Sequence, residues 1–281
     1  MPSSIDPAKT RCSLLFFLAT PAEEDALREV AGSRGILFEK VGDRDLGAYH
    51  WLGPVGNETV IAIRPSREGG IVAMGAHGRL GTASRGIQFR EATGAQGIVQ
   101  LGMAFGIDPR QQRPGDVLVS TDLVPYDNRD IRPRDGGHPG WVADYGNTKR
   151  ESARPSLIDL FQREARRRRF PFSIRFGAML SGAARIHCAS FRDELVRDLS
   201  NGEVPIIGGE MEGVGLLAAS RSARDPIWCV VKGISDFADE GRGAMIKESR
   251  PVACRNAAEF VLSALQDDAH PSEHSEVEEV R

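Results

Sequence analysis

Acidic residues gather at two places late in the sequence. Glu210 and Glu212 flank Met211 within Gly208-Gly209-Glu210-Met211-Glu212-Gly213, and Asp236 and Asp239 close the segment Ser235-Asp236-Phe237-Ala238-Asp239. Carboxyl groups can move protons or stabilise developing positive charge, provided they face one crevice. The intervening residues supply a way to achieve this. Val204 to Ile207 reads as a buried strand, Gly208 and Gly209 as a close turn, and Met211 to Ser220 as a helix. Asp225-Pro226 ends that helix, Ile227 to Val231 is a second apolar strand, and Gly233 to Asp236 leaves its C-terminal end. Open α/β sheets bind ligands at that end. A lone acid in such a position usually caps a helix, whereas two acidic sites on one crevice favour chemistry.

The rest of the chain must hold these residues in place. Ser13 to Ala19 predicts a buried strand, and Thr20-Pro21-Ala22-Glu23-Glu24-Asp25 carries an N-cap, a first-turn proline and early acids. Short strands follow at Phe38 to Val41, Gly47 to Leu52 and Thr59 to Ile63. A glycine- and arginine-rich stretch then leads to a helix over Ala83 to Thr93. Its Arg64, Arg67, His77, Arg79 and Arg85 suit an anion, particularly phosphate, beside a helix start. Gly97 to Leu101 predicts another buried strand, turning at Gly102 to Gly106. Val117 to Ser120, Asp122 to Tyr126 and Ser173 to Leu180 supply further strands. Pro155 to Arg169, Ser190 to Asp198 and Val252 to Gln266 supply helices. Asn128 to Arg154, with His138 and Trp141, reads as a polar excursion or lid.

Strands alternating with helices predict one α/β domain with a mainly parallel sheet, made mixed by the early meander. The 281 residues, 41% of them hydrophobic, suffice for one well-buried core. With 36 basic and 39 acidic residues the net charge of -3 carries no nucleic-acid footprint. Cys12, Cys188, Cys229 and Cys254 lack metal-ligand spacing and read as buried reduced thiols. No apolar run reaches about 18 residues and Met1 to Thr10 has no apolar core, so a soluble, cytoplasmic protein with no membrane partner is expected. Residues 1–10 and the acidic residues 267–281 read as loose tails around a catalytic domain at 11–266.

The order of motifs from Ser13 to Leu265 resembles the purine nucleoside phosphorylase and methylthioadenosine/S-adenosylhomocysteine nucleosidase superfamily. The motifs are the acidic helix start, the Gly102 to Gly106 turn, Pro114-Gly115-Asp116-Val117, Ser181-Gly182, Glu210-Met211-Glu212 and Ser235-Asp236. The resemblance implies a central mixed β-sheet flanked by helices and cleavage of a purine N-glycosidic bond. It makes Asp236 the acid that protonates the base and Glu212 the ribose contact. Met211 would pack on the sugar, with Ser235, Gly102, Met103, Arg185 and Ile186 completing the substrate pocket. Arg185 stands near where nucleosidases often carry a stacking aromatic. Glu24 matches the acid that positions water in the hydrolytic branch, with Glu23 as the register alternative. Gln100 and Met103 replace the Arg and Ser that hold phosphate in many phosphorylases, which argues for water as nucleophile.

Within the superfamily, the Gly208 to Leu216 and Val231 to Asp239 phrases look most like a bacterial subgroup often found as nucleosidase effectors of anti-phage defence. Some members of that subgroup hydrolyse adenine nucleotides, including ATP. The arginine-rich loop would then meet the 5′-phosphates. The resemblance implies no required cofactor, Mg²⁺ only as the companion of a polyphosphate, and a homo-oligomer. A phosphate-dependent phosphorylase and a non-catalytic nucleotide-binding regulatory module are the alternatives.

Overall fold

A computed structural model of the chain describes residues 7–64, 81–134, 140–146, 148–221 and 227–268. A 3₁₀ turn (Pro7–Thr10) precedes β1 (Leu14–Phe17), α1 (Pro21–Ser33), β2 (Glu39–Asp43), β3 (Gly47–Val55), β4 (Glu58–Ile63) and α2 (Thr82–Thr93). Next come β5 (Gly97–Gly106), β6 (Val117–Pro125), β7 (Asp130–Pro133), β8 (Trp141–Asp144), β9 (Glu151–Ser152), α3 (Pro155–Arg167) and β10 (Ile174–Ser181). The chain continues through α4 (Ala189–Leu199), β11 (Ile206–Glu210), α5 (Gly213–Ser220), β12 (Ile227–Asp236) and α6 (Arg242–Asp268).

The main sheet is mixed, in the order β11-β10-β6-β12-β5-β1-β4-β3-β2, and β11 pairs again with β5. The strands β5, β12, β6, β10 and β11 therefore form a closed ring, and β1, β4, β3 and β2 extend from it as an open flank. Parallel pairing joins β4 to β1, β1 to β5 and β5 to β12. Residues from α1, α3 and α6 cover one face of the sheet, among them Leu27, Phe161 and Phe260. Phe89 of α2 and Leu216 of α5 belong to the core on the other. Strands β1 and β12 are buried on both faces, which explains their continuous apolar runs.

Several boundaries differ from the sequence expectation, each for a physical reason. Residues 7–10 are not loose, because Lys9 pairs with Glu39 and its carbonyl accepts from Tyr49 Oη. Gly102 to Gly106 is not a turn but the second half of β5. The φ of 153° at Gly102 redirects the strand from β1 toward β11. Gly208 and Gly209 likewise lie inside β11. A Cβ at Gly208 would stand 2.4 Å from the carbonyl oxygen of Phe105, so close strand crossing, rather than turning, requires the glycine. Helix α6 starts ten residues before Val252 and contains Pro251. A proline inside a helix costs about 3 kcal/mol, which burial of Ile246, Ala253 and Cys254 on either side offsets. The polar excursion contains β7 and β8, a separate two-stranded ribbon. Of the four cysteines Cys188 is exposed, at the start of α4.

Candidate active site

Because β4, β1, β5 and β12 run parallel, their C-terminal ends share one rim. The first acid reaches it from α1. Thr20 caps that helix and Glu23, three residues on, folds back in a capping box. Its Oε2 accepts from the backbone N–H of Ala19 at 2.5 Å and of Thr20 at 2.8 Å, and its Oε1 from Met103 N–H at 3.1 Å. The carboxylate fills the space a side chain at position 102 would take, since a Cβ on Gly102 would lie 2.1 Å from Oε1.

Directly opposite Gly102 in the parallel register stands Lys232 of β12, 1% exposed. Its ammonium donates to Glu212 Oε2 at 2.5 Å and to Glu210 Oε2 at 3.2 Å. Glu210, the last residue of β11, also accepts from the N–H groups of Glu212 at 2.8 Å and Gly213 at 2.9 Å, thereby capping α5. Glu212 is the N-cap residue of α5. Glu23, Glu210, Glu212 and Lys232 are all buried. Three carboxylates thus surround one ammonium. Burial pushes the Glu212 carboxyl up, Lys232 opposes that push, and Glu210 and Glu23 add to it. Burial disfavours the Lys232 ammonium, but the three carboxylates outweigh it and hold the lysine protonated. Negative charge in excess of its counter-ion suits a ligand that becomes cationic.

Asp236 ends β12, beyond a register shift after Ile234. Ser235 Oγ donates to Asp236 Oδ2 at 2.8 Å and lies 3.2 Å from the carbonyl of Ala104. The N–H of Ala238 donates to Oδ1 at 3.0 Å, and Arg242 Nε lies 3.4 Å from Oδ2. Ala238 is left-handed, with φ 51°, which costs a residue with a side chain about 1–2 kcal/mol. The bend is braced by buried Arg192, whose Nη1 donates to the Phe237 carbonyl at 2.6 Å.

Met211, directly after β11, and Met103, which lies within β5 and itself supplies the amide to Glu23, are half-buried. Ile186 is buried, whereas Arg185 is exposed on the segment after Ser181. Tyr126 and Asp127 clamp that segment. The Tyr126 hydroxyl donates to Ala184 O at 3.2 Å, and Asp127 Oδ2 accepts from Ala183 N at 2.7 Å.

The structure places Glu24 outside the acid cluster. It faces Arg64 Nε, Arg28 at 2.8 Å and His50 Nε2 at 3.6 Å, on the open flank. Its helical position turns it away from Glu23 by about 100°. Arg64 follows β4 on the rim and is held there by Glu24. Arg85 does not join it: its guanidinium donates to Leu46 O and to Gln88 Oε1 and lies over the Phe89 ring, fastening α2 to the turn before β3. Gln100 is fully buried and donates to Phe17 O at 3.2 Å, a bond between strands. Arg67, His77, Arg79 and His138 lie outside the described residues. Sequence reasoning missed Lys232, although a lysine inside the apolar run from Trp228 to Ile234 is itself a signal of buried partners.

Comparison with known proteins defines the class. The family model described as the phosphorylase superfamily matches residues 42–266, and the chain belongs to that superfamily. Among individual proteins, a death domain-containing ATP nucleosidase of Amphimedon queenslandica is 29% identical over 192 residues, 61% of this chain and 34% of that protein. The chain therefore spans about a third of the length of that relative. The solved 5′-methylthioadenosine/S-adenosylhomocysteine nucleosidase of Neisseria meningitidis, in complex with methylthio-immucillin-A, has a TM-score of 0.68 at 18% identity. The alignment covers 90% of this chain and 98% of that one. The futalosine hydrolase of Helicobacter pylori has the same TM-score at 19% identity, over 90% of this chain and 97% of its own. At these identities the likeness is one of fold, and it agrees with the mixed sheet and the α-helices that flank it.

Proposed function

We propose that the protein hydrolyses the N-glycosidic bond of a purine nucleotide or nucleoside, with an adenine nucleotide as the first candidate. The observation that carries this reading is the seating of Glu23 over Gly102, beside Glu210, Glu212 and the counter-ion Lys232. A phosphate nucleophile entering there would meet three carboxylates, whereas water meets an acceptor for its proton. Water oxygen bonds to the anomeric carbon as the bond to the base breaks, and the water proton passes to Glu23. Asp236 donates a proton to the base, which leaves neutral, and solvent restores that proton. Glu212 faces the ribose hydroxyls and stabilises the positive charge on the sugar. The water-positioning role thus moves from Glu24 to Glu23.

The choice of an adenine nucleotide is supported by the name of the Amphimedon queenslandica relative and by Arg64 and Arg28 at the open flank of the rim. Incubation with ATP, AMP, adenosine, inosine and methylthioadenosine, with and without phosphate, followed by chromatography, tests the reading. Adenine released from a nucleotide without phosphate is the expected result. Strict dependence on phosphate would instead establish a phosphorylase, and ligand binding with no base released would establish a regulatory module. The anti-phage role implied by the resemblance extends the proposal to whole cells. Protection from phage by the wild-type protein and not by Asp236→Asn tests it. A homo-oligomer is proposed on the same resemblance, and light scattering tests it.

A further inference from the structure

We propose that Lys232 is a positioning residue for the reaction, fixing the Glu212 carboxylate at the start of α5 for its contact with the sugar. The inference rests on the hydrolytic reading above. Its neighbours Cys229, Val230 and Val231 are fully buried, so an ammonium on this strand is expensive to desolvate. A buried ion pair rarely stabilises a fold more than apolar side chains of the same volume. Stability is thus a poor reason for a lysine here, and geometry supplies a better one. The backbone N–H of Glu212 is held by Glu210 of β11 and its side chain by Lys232 of β12, so both ends of the residue are fixed from two ring strands that flank β5.

The groups that act on Glu212 come from several elements. Glu23 belongs to α1, Glu210 to β11 and Lys232 to β12. Cys254 of α6, a thiol that burial and then Glu23 keep neutral, feels Lys232 and Arg250 as well. Lys232 is the cation in this set, and without it three carboxylates face one another. One of them must then take a proton near neutral pH. Glu212, at the start of α5 and bonded to the lysine at 2.5 Å, is the group most directly released.

The test titrates Glu212 by its carboxyl ¹³C resonance in protein labelled at glutamate, assigned with Glu212→Gln. Wild type, Lys232→Met, Lys232→Arg and Glu210→Gln are compared, with base release measured on the same samples. Lys232→Met should raise the Glu212 titration by about one pH unit or more and lower kcat by about 100-fold, with KM less affected. Lys232→Arg, which keeps the charge, should restore the titration and part of kcat. Glu210→Gln leaves Lys232 to Glu212 and should lower the titration. An unmoved Glu212 titration in Lys232→Met overturns the inference. Where that variant does not fold, an unmoved or raised titration in Glu210→Gln does so. Absence of base release by the wild type, by contrast, sinks the hydrolytic reading, and the resonance still reports on Lys232.

Discussion

Glu23 and Glu24 are adjacent in sequence, yet the structure gives them separate surroundings, and exchanging each for glutamine separates their roles. In Glu23→Gln the side chain keeps its shape but presents one acceptor and one amide where two acceptors served three N–H groups. Leaving Met103 N–H, or the pair from Ala19 and Thr20, without an acceptor costs about 1–3 kcal/mol. Against that, the change removes one of three carboxylates crowded on Lys232, which returns part of the loss. The net effect should be about 1 kcal/mol, a shift of about 2–4 °C in Tm for a chain of this size. Turnover, in contrast, should fall about 1,000-fold, because an amide cannot take the proton of water. Glu24→Gln loses its pairs with Arg64 and with the more exposed Arg28, about 1 kcal/mol, and should keep turnover within about tenfold. Melting curves and adenine release on both variants read these differences. Loss of turnover in Glu24→Gln with retention in Glu23→Gln would refute the assignment of water to Glu23.

Other perturbations give equally definite outcomes. Gly102→Ala combines a φ of 153° with a Cβ 2.1 Å from Glu23, so a loss of about 3 kcal/mol and of most turnover is expected in chemical denaturation and activity assays. Asp236→Asn should lower kcat about 1,000-fold while circular dichroism stays native, and unimpaired turnover would remove its acid role. Arg64→Ala should weaken use of ATP more than use of adenosine, and equal losses would exclude a phosphate contact. Glu212 has a folded pKa raised above its unfolded value, so between the two values the folded state binds more protons and stability falls as pH rises. Glu212→Gln lacks that decline. Its stability relative to wild type should therefore increase as pH rises above the ordinary carboxylate range in paired denaturation curves, and a constant difference would contradict the shift.

The strand-helix alternation and the chemical types at the rim were legible in the sequence because they depend on local signals. Thr20 and Pro21 announce α1, and the apolar runs announce β1 and β12. Which acid enters the site was harder, because Glu23 and Glu24 differ only in helical phase. The deciding signal was present as the Thr20-x-x-Glu23 spacing, which marks the residue whose side chain turns back on the cap. Gly102 and Gly208 look like turn residues until their strands are seen to cross, a contact between segments about 100 residues apart. Arg85 was grouped with phosphate ligands by composition alone. Its commitment to Leu46 and Phe89 depends on how α2 packs on the meander, which no local pattern encodes.

The closed ring of β5, β12, β6, β10 and β11 divides the molecule into parts that can change at different rates. Gly102, Glu210, Lys232 and Asp236 all sit on ring strands, where a one-residue insertion would misalign partners on both sides and return around the circle. The flank of β4, β3 and β2 ends, among the described residues, at β2 and carries His50 and, just past β4, Arg64. Lengthening or recharging that flank leaves the ring registers intact. On the proposed reading, a lineage can therefore exchange one class of 5′ substituent for another on the flank while the groups assigned to bond breaking stay fixed.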